Sequence, residues 1–290
     1  MFAEWIAVFR RTFKRFVADD CTGLAREVAY SAMLAFFPAT AFLLGLLGVL
    51  NLYDNVQSLL ATVAPHGVIT FINSLQHDQS GNAQVFALVV GGIGAVWAAS
   101  GAMGSVIKAV NRAYDKEETR PFWRLRLIAI GLVLLMGVTL LAVTILIVFG
   151  GPLGQAIADK ANLGTAFNVL WAILRWPIGF VAVLLLFGFV YTLAPDVPLR
   201  WRWVTAGAVL GAALWLILSG LFALYVTFLG SYSKTYGSLA TGVILMLWLN
   251  YTAWAILFGA ELNSELDRQA DIHAAGGPKA GLVTPARRVN

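Results

Sequence analysis

The side chains in this chain that could do chemistry are few, and their spacing suits binding better than catalysis. His66 and His77 fall in one loop and His273 in the tail, so the three histidines cannot converge on a metal. There is no HExxH, no GxxxxGK[ST], no GxSxG and no pair of cysteines. A hydrolase needs an activated nucleophile or a metal-bound water, and no recognisable signature supplies either. The reading is therefore of a non-enzyme with no catalytic, metal or cofactor site. Cys21 stands alone and excludes an internal disulfide.

The polar residues that remain sit inside or at the ends of long apolar runs. Arg175 stands in "WAILRWPIGF". If the helix begins at Trp176, with Pro177 near its start, Arg175 snorkels to head groups; if it begins nearer Phe167, Arg175 lies within the bundle. There a charge is costly and usually functional, and its planar fork suits a phosphate or carboxylate. Tyr30, Pro38, Asn250 and Tyr251 are the other candidates to line a binding cavity, because Pro38 frees a carbonyl in its own helix and Asn250 falls midway along another. Arg26 and Glu27 enter the first apolar run, whereas Glu261, Asn263 and Glu265 leave the last. A carboxylate at a helix C-terminus opposes the macrodipole, so Glu261 calls for a cation, with Arg26, Arg200 and Arg202 as candidates. Together these residues read as an ion pair or a gate at one mouth of the bundle.

The elements that must position these groups follow from composition. Of 290 residues, 59% are hydrophobic and 12% charged, about half the charge of a soluble domain. Six uncharged stretches, 28–52, 84–107, 127–149, 176–194, 203–229 and 237–260, are each long enough to cross a bilayer as a helix. They are too continuous for transmembrane strands. The fold class is an all-α membrane protein, a six-transmembrane-helix bundle. Residues 1–27 form an N-terminal interfacial amphipathic helix, residues 28–268 the membrane domain, and residues 269–290 a disordered tail.

All but three of the 20 Lys and Arg residues fall in the N-terminal arm, the loops after the second and fourth spans, and the tail. The positive-inside rule then puts both termini in the cytoplasm. Trp5, Phe9, Phe13 and Phe16 repeat at helical spacing among Arg10, Arg11, Lys14 and Arg15, the pattern of a helix on an anionic leaflet. Membrane lipids are thus the nearest partners of the net charge of +5, and no nucleic-acid recognition motif is present. Residues 53–83 read as two short amphipathic helices joined at Pro65-His66-Gly67. The glycines of "GGIGAVWAASGAMGS", with Gly207 and Gly211, allow helix backbones to approach closely.

Three blocks carry a family resemblance: "LAREVAYSAMLAFFPATAFLLGLLG", "WAASGAMGSVIKAVNRAYDKEETRPFWRLR" and "YGSLATGVILMLWLNYTAWAILFGAELNSEL". In this order, across 11–268, they resemble the YihY/virulence factor BrkB family of bacterial inner-membrane proteins. The resemblance implies a multi-pass inner-membrane protein. Its members have been labelled ribonuclease BN, and others have been linked to serum resistance and to export of envelope lipid or lipopolysaccharide. The family's recurrent positions fall here on Tyr30, Pro38, Asn111, Tyr114, Pro121, Tyr236, Gly237, Glu261 and Asn263, whereas Glu27 stands where relatives carry small or apolar residues. Residues and resemblance together favour binding and translocation of an amphiphile such as a lipid or lipopolysaccharide precursor. The rivals are a scaffold for envelope assembly with a protein partner or as a homo-oligomer, and the RNA-processing activity of the older label.

Overall fold

The computed structural model describes residues 2–50, 81–161, 164–197, 204–228 and 232–274. Within them run α1 (Phe2–Ala18), α2 (Cys21–Val49), α3 (Gly81–Ala113), α4 (Phe122–Thr144), a π-helical turn (Ile145–Phe149), α5 (Gly150–Ala161), α6 (Gly164–Leu193), α7 (Ala206–Phe228) and α8 (Tyr232–Ala274). Six stretches are long and apolar enough to cross a membrane: Cys21–Val49, Val85–Ala113, Phe122–Ile147, Phe167–Leu193, Ala206–Val226 and Gly242–Ala270. The expected loop helices fall on residues 51–80, outside the described residues, as do Arg200, Arg202 and residues 275–290.

The helices outrun the apolar stretches at their charged ends. Residues 1–27 are not one helix: α1 stops at Ala18, and α2 starts at Cys21 after a break that Asp20 makes in the left-handed conformation (φ 51°). Its carboxylate accepts from the Gly23 amide at 3.2 Å, capping α2. At the other end α8 continues past Arg268 to Ala274, so residues 269–274 are helical rather than part of a disordered tail. α6 begins at Gly164, which puts both Arg175 and Pro177 inside a helix and removes the alternative start at Trp176.

Two backbone crossings set the packing. A Cβ on Gly45 of α2 would strike the Leu88 backbone of α3, and one on Gly91 of α3 would stand 2.6 Å from the Phe42 amide nitrogen of α2. α7 and α8 meet at Gly207 and Gly259, where a Cβ on either would collide with the other's carbonyl oxygen. Tyr191 of α6 is wedged into this second crossing: its hydroxyl donates to the Ile256 carbonyl at 2.8 Å and lies 2.6 Å from the position of a Cβ on Gly211. Small residues thus serve close approach, which drives helix association in lipid.

α1 lies against the C-terminal end of α8, and we call the side of the bundle where they meet the terminal face. Val8, Thr12 and Phe16 form the buried stripe of α1, with Phe16 packed on Phe258 at 5.5 Å, whereas Trp5, Phe9 and Phe13 stay exposed. Much of the buried core, including Cys21, Ala25, Ile107, Val110, Ala194, Ala208, Leu257 and Glu261, gathers toward this face.

Gly207→Val should lower stability by about 2–3 kcal/mol, since neither neighbouring backbone can yield to the added carbons. Gly137→Ala, whose Cβ meets nothing within 4 Å, should instead stabilise α4 by about 0.5–1 kcal/mol. Thermal unfolding of the two variants in detergent checks the pair.

Candidate functional site

The small residues of α3 have two jobs. Gly91 and Gly94 pack on α2, but Ser100, Gly101, Gly104, Ser105, Lys108 and Arg112 share the next face of the helix and form the floor of a cleft of about 820 Å³. α2 supplies one wall through Leu24 and Glu27, and α4 the other through Phe122, Leu125, Arg126 and Ala129. A Cβ on Gly104 would meet nothing within 4 Å, so this glycine faces open volume. Ser31 and Ser105 hydrogen-bond across the α2–α3 seam at 3.0 Å.

Charge of both signs rings the mouth. Lys108 Nζ pairs with Glu27 at 2.9 Å, both side chains exposed, and Arg112 Nε lies 3.7 Å from Asp19. Arg126 reaches into the cleft rather than out to solvent: its guanidinium sits 3.9 Å above the Trp97 ring and Nη2 donates to the Trp97 carbonyl at 2.8 Å. Its enclosed Nε has no hydrogen-bond partner, and among the described residues Arg126 forms no ion pair, although Asp19, Asp20, Glu27, Glu117 and Glu118 line the same cleft. A cation held over an aromatic face without a counterion suits an incoming anion.

The loop from α3 to α4 closes the rim. Asp115, at φ 53°, ends α3. Asn111 Nδ2 donates to Glu118 at 2.8 Å while Asn111 Oδ1 accepts from the Asp196 amide at 2.7 Å. Arg120 Nε donates to Glu118 at 2.6 Å, and its other nitrogens donate to the Leu193 and Ala194 carbonyls at the end of α6, so a cation covers that helix C-terminus. The Thr119 hydroxyl and amide both donate to Asp196. Hydrogen bonds from Arg120 hold the Glu118 carboxyl below its usual range, those from Thr119 do the same for Asp196, and Glu118 in turn pushes Arg120 up.

The acids at the end of α8 divide their work. Glu265 accepts from Arg11 Nε at 2.6 Å and Gln269 at 2.8 Å, with Arg15 Nε at 3.4 Å; Arg15 and Arg268 also reach Asp115. Asn263 caps α7 from the neighbouring helix, its Oδ1 accepting from the Gly207 amide at 2.8 Å and its Nδ2 donating to Thr205 at 2.9 Å. Glu261 is fully buried; one oxygen accepts from the Cys21 thiol at 3.4 Å, and the other has no partner. Arg26 joins none of these acids, and its Nε donates instead to the Thr22 carbonyl.

The remaining sequence candidates lie elsewhere. None of Arg175, Tyr30, Pro38, Asn250 and Tyr251 lines the cleft. Tyr30 is exposed, Pro38 packs toward Gly94, and Tyr251 stacks edge-on with Trp254 and Phe222. Asn250 keeps a buried, unpartnered Oδ1. Of the family positions, Asn111 joins cleft and rim, burial pushes the Tyr114 hydroxyl up, and Pro121 stands at the N-cap position of α4 without a side-chain cap; Tyr236 and Gly237 fall in the first turns of α8. Lys108, Arg126, Asp19, Arg11 and Arg15 are functional candidates that the sequence reading did not single out. For the cleft, the four-residue spacing of Ser100, Gly104 and Lys108 carried the signal. Among the described residues no cluster of His, Cys, Asp and Glu could hold a metal ion.

Arg120→Ala should destabilise the protein by about 2 kcal/mol at pH 7, because two helix-end carbonyls lose a donor and Glu118 loses its cationic partner. Both carboxylates sit below their ordinary range when folded, so their contribution is complete at neutral pH and fades as the pH falls through and below about 4. The gap between wild type and variant should therefore narrow in acid, as denaturation midpoints across pH would show.

The chain can now be set beside known proteins. The profile of the family described as virulence factor BrkB matches residues 12–282. The chain is 32% identical over 265 residues to the ribonuclease-like protein YfkH of Bacillus subtilis, covering 91% of this chain and 96% of that one. It is 28% identical to the UPF0761 membrane protein IL2447 of Idiomarina loihiensis, covering 91% and 94%. A UPF0761 membrane protein of Stenotrophomonas maltophilia is 27% identical, but this chain spans 62% of its length. No solved structure matches. Six apolar helices and these relatives make it a multi-pass protein of the bacterial inner membrane. With nearly its whole length matched, the chain belongs to the virulence factor BrkB family.

Proposed function

We propose that the protein is not an enzyme and that it binds an amphiphile in the α2–α3–α4 cleft and passes it between leaflets. Its terminal face, which carries the basic loops, would be turned to the cytoplasm. The observation that carries this reading is the cleft itself. A volume of 820 Å³ is that of a small-molecule site. The cleft is charged at the mouth and floored by glycine, and α2 and α4 flank it where it meets the bilayer. The polar head would sit among Lys108, Glu27 and Arg126, with the phosphate or carboxylate on Arg126 and any amine toward Glu27. The acyl part would leave along Leu125 and Ala129.

Gly104→Leu tests it directly. The added side chain projects into the cleft and narrows it, touches no neighbour at its Cβ, and improves helix propensity, so folding is preserved. In vesicles carrying a head-group-labelled phospholipid, the variant should move label between leaflets at least about tenfold more slowly than wild type, the effect of losing roughly 1.4 kcal/mol. Equal rates would sink the cleft as the transport site. A wild type that moves no label but co-purifies with a stoichiometric protein partner would turn the reading toward an envelope-assembly scaffold.

A further inference from the structure

The second unusual feature lies well away from the cleft, toward the opposite face of the bundle. Arg175 is set about 12 Å inside the far end of its span, eight residues from Phe167 at 1.5 Å each. An arginine does not surrender its charge, and a charge at this depth is costly unless paired. Yet among the described residues no carboxylate pairs with it, and its Nε is enclosed without a partner. Among the described residues its hydrogen bond is from Nη1 to the Ile147 carbonyl, 3.4 Å long against about 2.8 Å for a bond made by an ionised group, and its guanidinium stands 5.9 Å from the Trp176 ring centroid.

Its surroundings combine a helical irregularity, small residues and a fixed indole. Ile147 lies in the π-helical turn, where the hydrogen-bond ladder changes register. Gly150 and Gly151 follow, and a Cβ on Gly151 would meet only Arg175 Nη1, at 3.6 Å. Trp171 is fixed by donating to the Gly150 carbonyl at 2.6 Å. Asn168 shares this face of α6, two turns before Arg175, and its Oδ1 is likewise buried without a partner. An unpaired guanidinium and an unsatisfied amide therefore stand on one helix face, beside glycines and the rigid indole of Trp171.

We propose that Arg175 and Asn168 form an anion site for a phosphate-type head group entering from the leaflet opposite α1. Arg175 binds the phosphate bidentately, and Asn168 accepts from a hydroxyl or amine of the same head group. This rests on the amphiphile reading for the source of its ligand, but it concerns a different place in the fold.

The experiment is native mass spectrometry of the full chain from nanodiscs of phosphatidylcholine doped with phosphatidylglycerol. Wild type should retain phosphatidylglycerol preferentially, Arg175→Gln should lose the preference several-fold, and Asn168→Leu should lose part of it. Arg175→Lys, which keeps the charge without the fork, should retain an intermediate share and keeps the test readable if the Gln variant fails to insert. With the cleft obstructed by Gly104→Leu, Arg175→Gln should still remove a further share of the bound phosphatidylglycerol, so failure of the cleft and failure of this site read separately. Displacement of the lipid by excess inorganic phosphate would identify a free anion as a competing ligand of the same site. Wild-type retention by Arg175→Gln overturns the proposal. So does a wild type that holds neither phosphatidylglycerol nor phosphate.

Discussion

Helices in a bilayer gain little by hiding apolar surface from lipid, so how close two backbones can come decides which helices associate. Here that constraint is met where Gly45 of α2 lies against Leu88 and Gly91 of α3 against Phe42, and where Gly207 of α7 crosses Gly259 of α8. The first crossing fixes α2 along the α3 face whose next turns carry Ser100, Gly101 and Gly104. The same run of small residues thus locks one end of a helix pair and leaves room at the other. Without the lock the cleft would have no defined wall, and without the change from packed to unpacked glycines it would have no volume.

Polar interactions are concentrated where water is near. Glu118, Arg120, Thr119 and Asp196 tie the α3–α4 loop to the end of α6, and Arg11, Arg15, Asp115, Glu265 and Arg268 tie α1 and α3 to α8. These groups stabilise helix ends that would otherwise leave carbonyls and charges unsatisfied, which explains why the helices run further than their apolar stretches. Among the described residues such ties are fewer toward the far face, where Arg175 makes a long contact to the π turn.

The six-helix architecture was legible because apolar run length in a bilayer is a direct measure of span. Helix ends were not, because a run ends at its first charge, whereas Glu27, Glu261 and Glu265 remain helical through partners on other elements. The spacing of the α3 glycines showed that close approach was available but not which glycines would use it; Gly101 and Gly104 differ from Gly91 only in what stands opposite. For Arg175 the two readings turned on the start of α6, and Pro177 was an ambiguous marker since proline is tolerated within a membrane helix. Arg26 was a candidate cation for Glu261, which instead accepts from Cys21, and the pairing of Glu265 with Arg11 depends on α1 folding back over the bundle, a tertiary event that no local pattern encodes.

That last contact has a consequence for how the protein is made. Arg11 and Glu265 are separated by 254 positions, so at ordinary rates of synthesis roughly 10 to 50 seconds pass between the emergence of the first and the second. Throughout that interval α1 has basic side chains and the apolar Val8 and Phe16 but no α8 to receive them, and the anionic surface of the membrane is the natural place for it to wait. The bundle closes only when the last helix arrives with its acids on the same side as α1, so this contact requires an even number of membrane crossings between the two.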